Sequence, residues 1–460
     1  MLHISDDTLK KVYQYIDANM DTYIDWLVEA VRQPSISMYH AGMDKMADIC
    51  AYFLKNKLDI QPEKIETGGS PYIFAHLDVG ANHTLAFYNH YDVMPAEPLD
   101  KWVSPPFEPV IREGRLWGRG VADNKGSMFS RICAVHAYLQ VHGTLPVNLK
   151  FFYDGEEEIG SPHLAAFMKK YPDMLQCDGF FWEGGSRDLE RGRPHITLGV
   201  KGICKIKLSC RTAASDLHSA NAAIIANPIW RIIWALASMK NSKEEILVQG
   251  YLDDIVPLSE SELAIIHDMS LDEEATYKTC GVQSFLNHET GDAVKMRLIN
   301  YPTININGFE SDFHNGKSKT ILPSLAVVYL DLRLVKGQTV DSVMAKIRKH
   351  LDKHGFPDID VELESSYEPF RTDSNSALMK AAVSSAYDIY GMGPNVILND
   401  WGSSGVGAVC GKMNIPCIMI GVMNEDSREH APNENIYLED YNCAIKMIAS
   451  IMTKFPSFCQ

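Results

Sequence analysis

The sequence predicts an α/β protein with a smaller α+β domain of the ferredoxin type inserted into it. Three observations carry this. From about residue 72 short apolar runs alternate with helical ones, as in a sheet covered on both faces. Near residue 201 the texture changes to strict apolar–polar alternation, the period of a sheet with one wet face. After Pro369 the first texture returns, so the second domain interrupts the first. The expected division is 1–200 with 369–460 against 201–368.

Taken in order, the first 60 residues read as helices. Leu9, Val12, Tyr13 and Ile16, then Ile24, Leu27, Val28 and Val31, then Met43, Met46, Cys50 and Phe53 recur at helical spacing, and Pro34 punctuates them. Strands are predicted at Tyr72–Leu77, Thr84–Tyr88, Val147–Tyr153, Gly179–Trp182 and Ile415–Gly421. Helices are predicted at Lys125–Val141, stopped by Gly143, and at Pro162–Lys170 with Ser161 as N-cap. In the insertion Cys204, Ile206, Leu208 and Cys210 form one amphipathic strand and Ala326 to Leu334 another. Helices fit Pro228–Met239 and Val340–Lys353, and a last strand fits Asp358–Glu364. Strand, helix, two strands, helix, strand is the ferredoxin order. Trp230 and Trp234 could face core or an interface, and core is the preferred reading. The stretch 242–300 is polar and mixed, an insertion within the insertion.

Composition bounds the function. The chain has 460 residues and a formal charge of -16, which disfavours phosphate backbones and anionic lipid as partners. The opening MLHISDDTLK lacks a secretory apolar run, and no segment reaches about 18 uninterrupted apolar residues. Ten cysteines occur without a CxxC pair, which suits buried thiols in a reducing compartment. A cytoplasmic protein is expected, and any metal would be held by His and carboxylates.

Five segments carry candidate chemistry. In LAFYNHYDVMP, His90 and Asp92 follow a strand at i and i+2 and face one side, as a metal-binding imidazole and its orienting carboxylate would. In LWGRGVADNKGSMFS, Asp123 precedes a helix and is either N-cap or ligand. LKFFYDGEEEIGS ends a buried strand with Glu156, Glu157 and Glu158, acids that raise one another's pKa unless a cation compensates them. Glu183 follows the strand in CDGFFWEGG, and His430 lies in SREHAPNE beyond the last strand. Each has an ordinary alternative as a turn, a cap or a solvated loop. Together, all five lie at strand ends, where open α/β sheets bind ligands. Two His, several carboxylates and no thiol suit a pair of zinc-like ions bridged by one Asp, with a spare carboxylate as general base.

In this order the five segments resemble the co-catalytic zinc metallopeptidases, the family of carnosine and Cys-Gly dipeptidases, glutamate carboxypeptidase, acetylornithine deacetylase and the aminoacylases. The resemblance covers nearly the whole chain. It implies a mixed-sheet zinc-peptidase catalytic domain and an inserted lid and dimerisation domain. It also implies that His90 and Glu183 bind one metal, Glu158 and His430 the other, and Asp123 bridges them. Asp92 would orient His90 and Glu157 would be the general base. Gly199–Gly202 (GVKG) resembles the entry to the lid. DLHSA resembles the segment whose histidine, here His218, reaches the partner subunit's active site and steadies the oxyanion. YPTINING, KTILP and VVYLDLRLV resemble the carnosine and Cys-Gly dipeptidase branch, where Arg333 matches an arginine that clamps a substrate carboxylate. Gly402 to Gly405 (GSSG) resembles a loop near the substrate terminus. Two positions depart from the pattern. Asn124 replaces an Asp whose contribution is mainly backbone. Glu183 stands where the dipeptidases have Asp and the carboxypeptidases and acylases have Glu.

The resemblance therefore implies a homodimeric hydrolase with two divalent ions, zinc foremost and manganese or cobalt as alternatives. Its substrate would be a dipeptide or short peptide cut next to a free carboxylate. An N-acyl amino acid amidohydrolase uses the same machinery. A two-lobed binding protein without catalysis and a two-metal phosphoesterase fit less well, since the ligand set is intact and nothing resembles a phosphate cradle.

Overall fold

The computed structural model describes residues 6–188, 192–311 and 320–459. Met1–Ser5 of the opening segment and Lys319 of KTILP lie outside the described residues. The chain forms two compact units, one of Met1–Gly199, Thr372–Leu398 and Ala408–Gln460, the other of Val200–Arg371 and Asn399–Gly407.

The larger unit is built on an eight-stranded mixed sheet. Its spatial order is Glu63–Ile65, Tyr72–Leu77, Asn148–Asp154, Thr84–His90, Gly179–Trp182, Cys417–Met419, His195–Thr197, Asn395–Ile397. Thr84–His90 runs parallel to both of its neighbours, and Cys417–Met419 runs parallel to Gly179–Trp182. Four strands therefore end at one edge, which is what brings segments far apart in sequence together. The helix Lys125–His142 is buried from Lys125 to Val135. Gly143 ends it at φ 69°, a conformation that favours glycine, and its N–H caps Leu139 O.

Three helices, Asp6–Ala18, Met20–Arg32 and Met43–Leu58, occupy the first 60 residues as the periodicity predicts. Two expectations are corrected here. The last predicted strand shrinks to Cys417–Met419 because Pro416 has no N–H to offer the ladder. Ser161 is not an N-cap: the helix begins at Leu164, and the Ser161 hydroxyl donates to Asp154 Oδ2 at 2.7 Å.

The smaller unit holds a four-stranded antiparallel sheet ordered Thr303–Ser311, Leu325–Leu334, Gly202–Arg211, Ile359–Tyr367. The inward residues Cys204, Ile206, Leu208 and Cys210 pack with Val328, Leu330 and Leu332 under the helices Pro228–Met239 and Val340–Lys353. Asn227 caps the first helix by accepting Ile229 N–H at 2.8 Å. The stretch 242–300 contributes the helices Glu260–Asp268, Glu273–Cys280 and Asp292–Asn300. Trp230 and Trp234 are not core, contrary to the preferred reading. Both are 53% exposed and stack on each other, because the helix turns Ile232, Ala235 and Met239 inward instead.

Candidate functional site

At the carboxyl edge of the large sheet, Asp123 lies between two imidazoles. Its Oδ1 is 2.9 Å from His90 Nε2 and its Oδ2 is 3.0 Å from His430 Nε2. Glu183 Oε2 adds a second carboxylate to His90 at 3.2 Å, and Glu158 Oε2 a second to His430 at 3.1 Å. Asp123 is thus no N-cap. Asn124 takes the cap position without capping, and its side chain instead accepts from Asn89. The Asp123–Asn124 peptide is cis.

Asp92 is buried below His90. The His90 Nδ1 atom hydrogen-bonds the Asp92 carbonyl at 3.0 Å and lies 3.3 Å from its carboxylate. That carboxylate also accepts the N–H groups of Glu157 at 3.2 Å and Glu158 at 3.0 Å. It therefore ties the first segment to the acidic turn, a role wider than orienting one ring. Glu157 groups with His90 and Glu183, one potential ligand atom of each lying within 4.8 Å of the others.

The electrostatics follow from crowding. Burial, then the Glu183 charge, pushes the Glu157 carboxyl well above the usual range. Burial likewise raises Glu183, to about 8. Hydrogen bonds to Asp123 and Glu158 raise His430 to about 11. Burial opposes protonation of His90, yet Glu183 and Asp123 outweigh it. Each imidazole thus faces two carboxylates, a concentration of negative charge that a cation would balance. Glu183 Oε2 is buried and makes no hydrogen bond among the described residues. Two imidazoles and at least three carboxylates, one of them with a buried oxygen that makes only the ion-pair contact to His90, fit a pair of divalent ions of the zinc, manganese or cobalt type.

Sequence reasoning passed over four buried charges that shape this edge, Glu434, Arg119, Arg131 and Lys125. Glu434 accepts four donors: Arg119 Nη1 at 2.7 Å and the N–H groups of Gly120, Ala122 and Asp123 at 2.9, 2.8 and 3.0 Å. Arg131 donates to Asn89 Oδ1 at 2.8 Å and to the carbonyls of Tyr88 and Trp182, fixing the ends of the strands that carry His90 and Glu183. Lys125 donates to the carbonyls of Ala30 and Gln33 at 3.0 and 2.7 Å. A visible signal existed only for Glu434, which closes the SREHAPNE segment.

Two predicted residues belong to the smaller unit. His218 is exposed, and its Nδ1 accepts Ala220 N–H at 3.2 Å. Arg333 is half-buried and donates to Ser403 Oγ at 2.7 Å, so the arginine and the GSSG loop do meet.

The chain is similar to known peptidases along nearly its whole length. The chain is 28% identical to the human Beta-Ala-His dipeptidase, over 96% of this chain and 92% of the relative. It is 25% identical to a Cys-Gly metallodipeptidase of Saccharomyces cerevisiae, over 97% and 98%. Among solved structures, an M20 family metallo-carboxypeptidase from Sulfolobus solfataricus superposes with a TM-score of 0.86 at 34% identity, covering 95% of this chain and 99% of that one. The model of peptidase family M20/M25/M40 matches residues 86–454, and the chain belongs to that family.

Proposed function

We propose that the protein hydrolyses dipeptides or short peptides next to a free carboxylate, using two divalent metal ions. His90, Asp123 and Glu183 would hold one, and His430, Asp123 and Glu158 the other. The observation that carries this reading is the division of Asp123, one oxygen facing each imidazole. When bound, such ions polarise a scissile carbonyl and make water acidic enough to attack near neutral pH.

The chain's own groups supply the rest. Glu157 takes the attacking water's proton and returns it to the leaving amine. Asp92 fixes His90 and the acidic turn together. His218 of a second copy would donate to the developing oxyanion, and Arg333 would pair with the substrate carboxylate. In this reading the larger unit is catalytic and the smaller one a lid that dimerises. The exposed Trp230–Trp234 pair supports such an interface. The relatives' names, Beta-Ala-His and Cys-Gly dipeptidase, support the substrate class. All ten cysteines are free, seven of them buried, which suits a reducing cytoplasm. No helix among the described residues is long and apolar enough to cross a membrane.

One observation favours a second reading: Glu183 stands where the resemblance associates Asp with dipeptidases and Glu with carboxypeptidases and acylases. An N-acyl amino acid amidohydrolase would use the same groups. The test is an activity screen of the zinc-, manganese- and cobalt-loaded protein on dipeptides and N-acyl amino acids. Cleavage that requires a free α-amino group supports the dipeptidase. Cleavage only of blocked substrates supports the acylase, and cleavage of neither overturns both.

A further inference from the structure

The smaller unit encloses a half-open cavity of about 340 Å³, and every residue on its wall belongs to that unit. Leu271, Phe285 and Leu298 are among its apolar lining. The charges on the wall do not balance. Lys240 pairs with Glu244 and Arg297 with Glu289, whereas Lys201 and Arg333 have no carboxylate partner among the described residues. This surplus of positive charge stands in a chain whose formal charge is -16. Lys201 is the sharper anomaly. It is 3% exposed, and a buried lysine ordinarily has an anion beside it. Two of its three N–H groups go to the carbonyls of Arg297 and Tyr301, at 3.0 and 2.6 Å, and the third has no acceptor among the described residues. Burial, and then the Arg333 charge, pushes the Lys201 ammonium down to about 8, as expected of a cation without a counter-charge.

We propose that this cavity is a binding site for a small apolar monocarboxylic acid, with the third N–H of Lys201 donating to the acid's carboxylate and the ring or chain filling the hollow beside Leu271, Phe285 and Leu298. The site is complete within the smaller unit and does not rest on the hydrolase reading. A cavity of about 150 Å³ takes a benzene ring, so this one takes a ring with a short alkyl arm. A zwitterionic dipeptide would have to set its ammonium against a wall that already carries excess positive charge, so the wall selects a plain acid.

Calorimetry on the metal-loaded full chain tests this with 4-phenylbutyrate and its uncharged analogue, 4-phenylbutan-1-ol. The acid should bind about tenfold or more tightly than the alcohol, the effect of one charged hydrogen bond. Leu298→Trp, which fills the hollow, should weaken both by about tenfold or more. Lys201→Met should weaken the acid alone, to the level of the alcohol. If that variant does not fold, the pH profile of the wild type decides. Affinity for the acid should hold below about pH 8 and fall above it, with the alcohol unchanged. A flat profile for the acid, no binding of it at millimolar concentration, or equal binding of acid and alcohol overturns the site. Binding that Leu298→Trp leaves unchanged places the acid elsewhere, such as on the metal ions, and overturns it as well. The hydrolase reading stands or falls on its own activity screen whichever result is obtained.

Discussion

Glu434 accepts the backbone N–H of Asp123 at 3.0 Å, so the last residue of the fifth segment holds the loop of the second. The same carboxylate is ion-paired with Arg119, both groups being 1% exposed or less. Glu434→Gln leaves Arg119 buried without a counter-charge, which should cost about 3 kcal/mol in urea unfolding. The double variant Arg119→Met, Glu434→Gln should recover part of that loss. Additive losses would show that the pair does not act as a unit.

Glu157→Gln should keep the metal content of the wild type and lose turnover by about a hundredfold or more. Metal analysis beside kcat separates the two effects. Near-normal turnover would remove Glu157 from the role of general base.

His218→Ala alone should lose most activity, by about a hundredfold if it supplies one oxyanion donor. Co-expression with the Glu157→Gln chain should restore part of it, because a mixed dimer contains one site with both groups intact. Mixed dimers as inactive as either parent would argue against a shared site.

Metal removal should also be visible as stability. Stripping the ions leaves Asp123, Glu157, Glu158 and Glu183 crowded, so a chelator should lower the melting temperature, and zinc, manganese or cobalt should restore it. An unchanged melting temperature with full metal loss would contradict the tie between ions and fold.

A pH effect remote from the centre is expected at His136. Burial, and then the Lys57 charge, holds its pKa down to about 4, against an unfolded value near 6.5. Between these values the unfolded chain binds the proton and the folded one does not. Stability is therefore fully present above about pH 6.5 and is lost as pH falls towards 4. His136 is partly exposed, so the loss should be on the order of 1 kcal/mol. His136→Gln should flatten that slope in denaturation measured from pH 7 to 4.

Much of this was legible because periodicity and strand ends are local signals. The strands Tyr72–Leu77 and Gly179–Trp182 and the helices Pro228–Met239 and Val340–Lys353 fall where apolar spacing puts them. His90, Asp123, Glu158, Glu183 and His430 stood out because each follows or flanks such an element, and the structure brings all five together. What stayed hidden depends on distant partners. Lys125, Arg131 and Glu434 are charged residues in the core, where hydropathy reads them as surface, and only their hydrogen bonds to remote carbonyls and amides explain them. The short strands His195–Thr197 and Asn395–Ile397 each span three residues, too few to show a period. Trp230 and Trp234 misled because an aromatic pair at helical spacing reads the same on either face of an amphipathic helix.

The tryptophan beside Glu183 has a practical consequence. The Trp182 indole stacks on Tyr88, with ring centroids 3.7 Å apart, and its N–H donates to Glu183 Oε1 at 3.2 Å. A chromophore hydrogen-bonded to a would-be ligand registers any change in that ligand's charge. Ion uptake can therefore be followed by the protein's intrinsic fluorescence, with no dye or label. Among the seven tryptophans, a Trp182→Phe variant would identify the source of the signal.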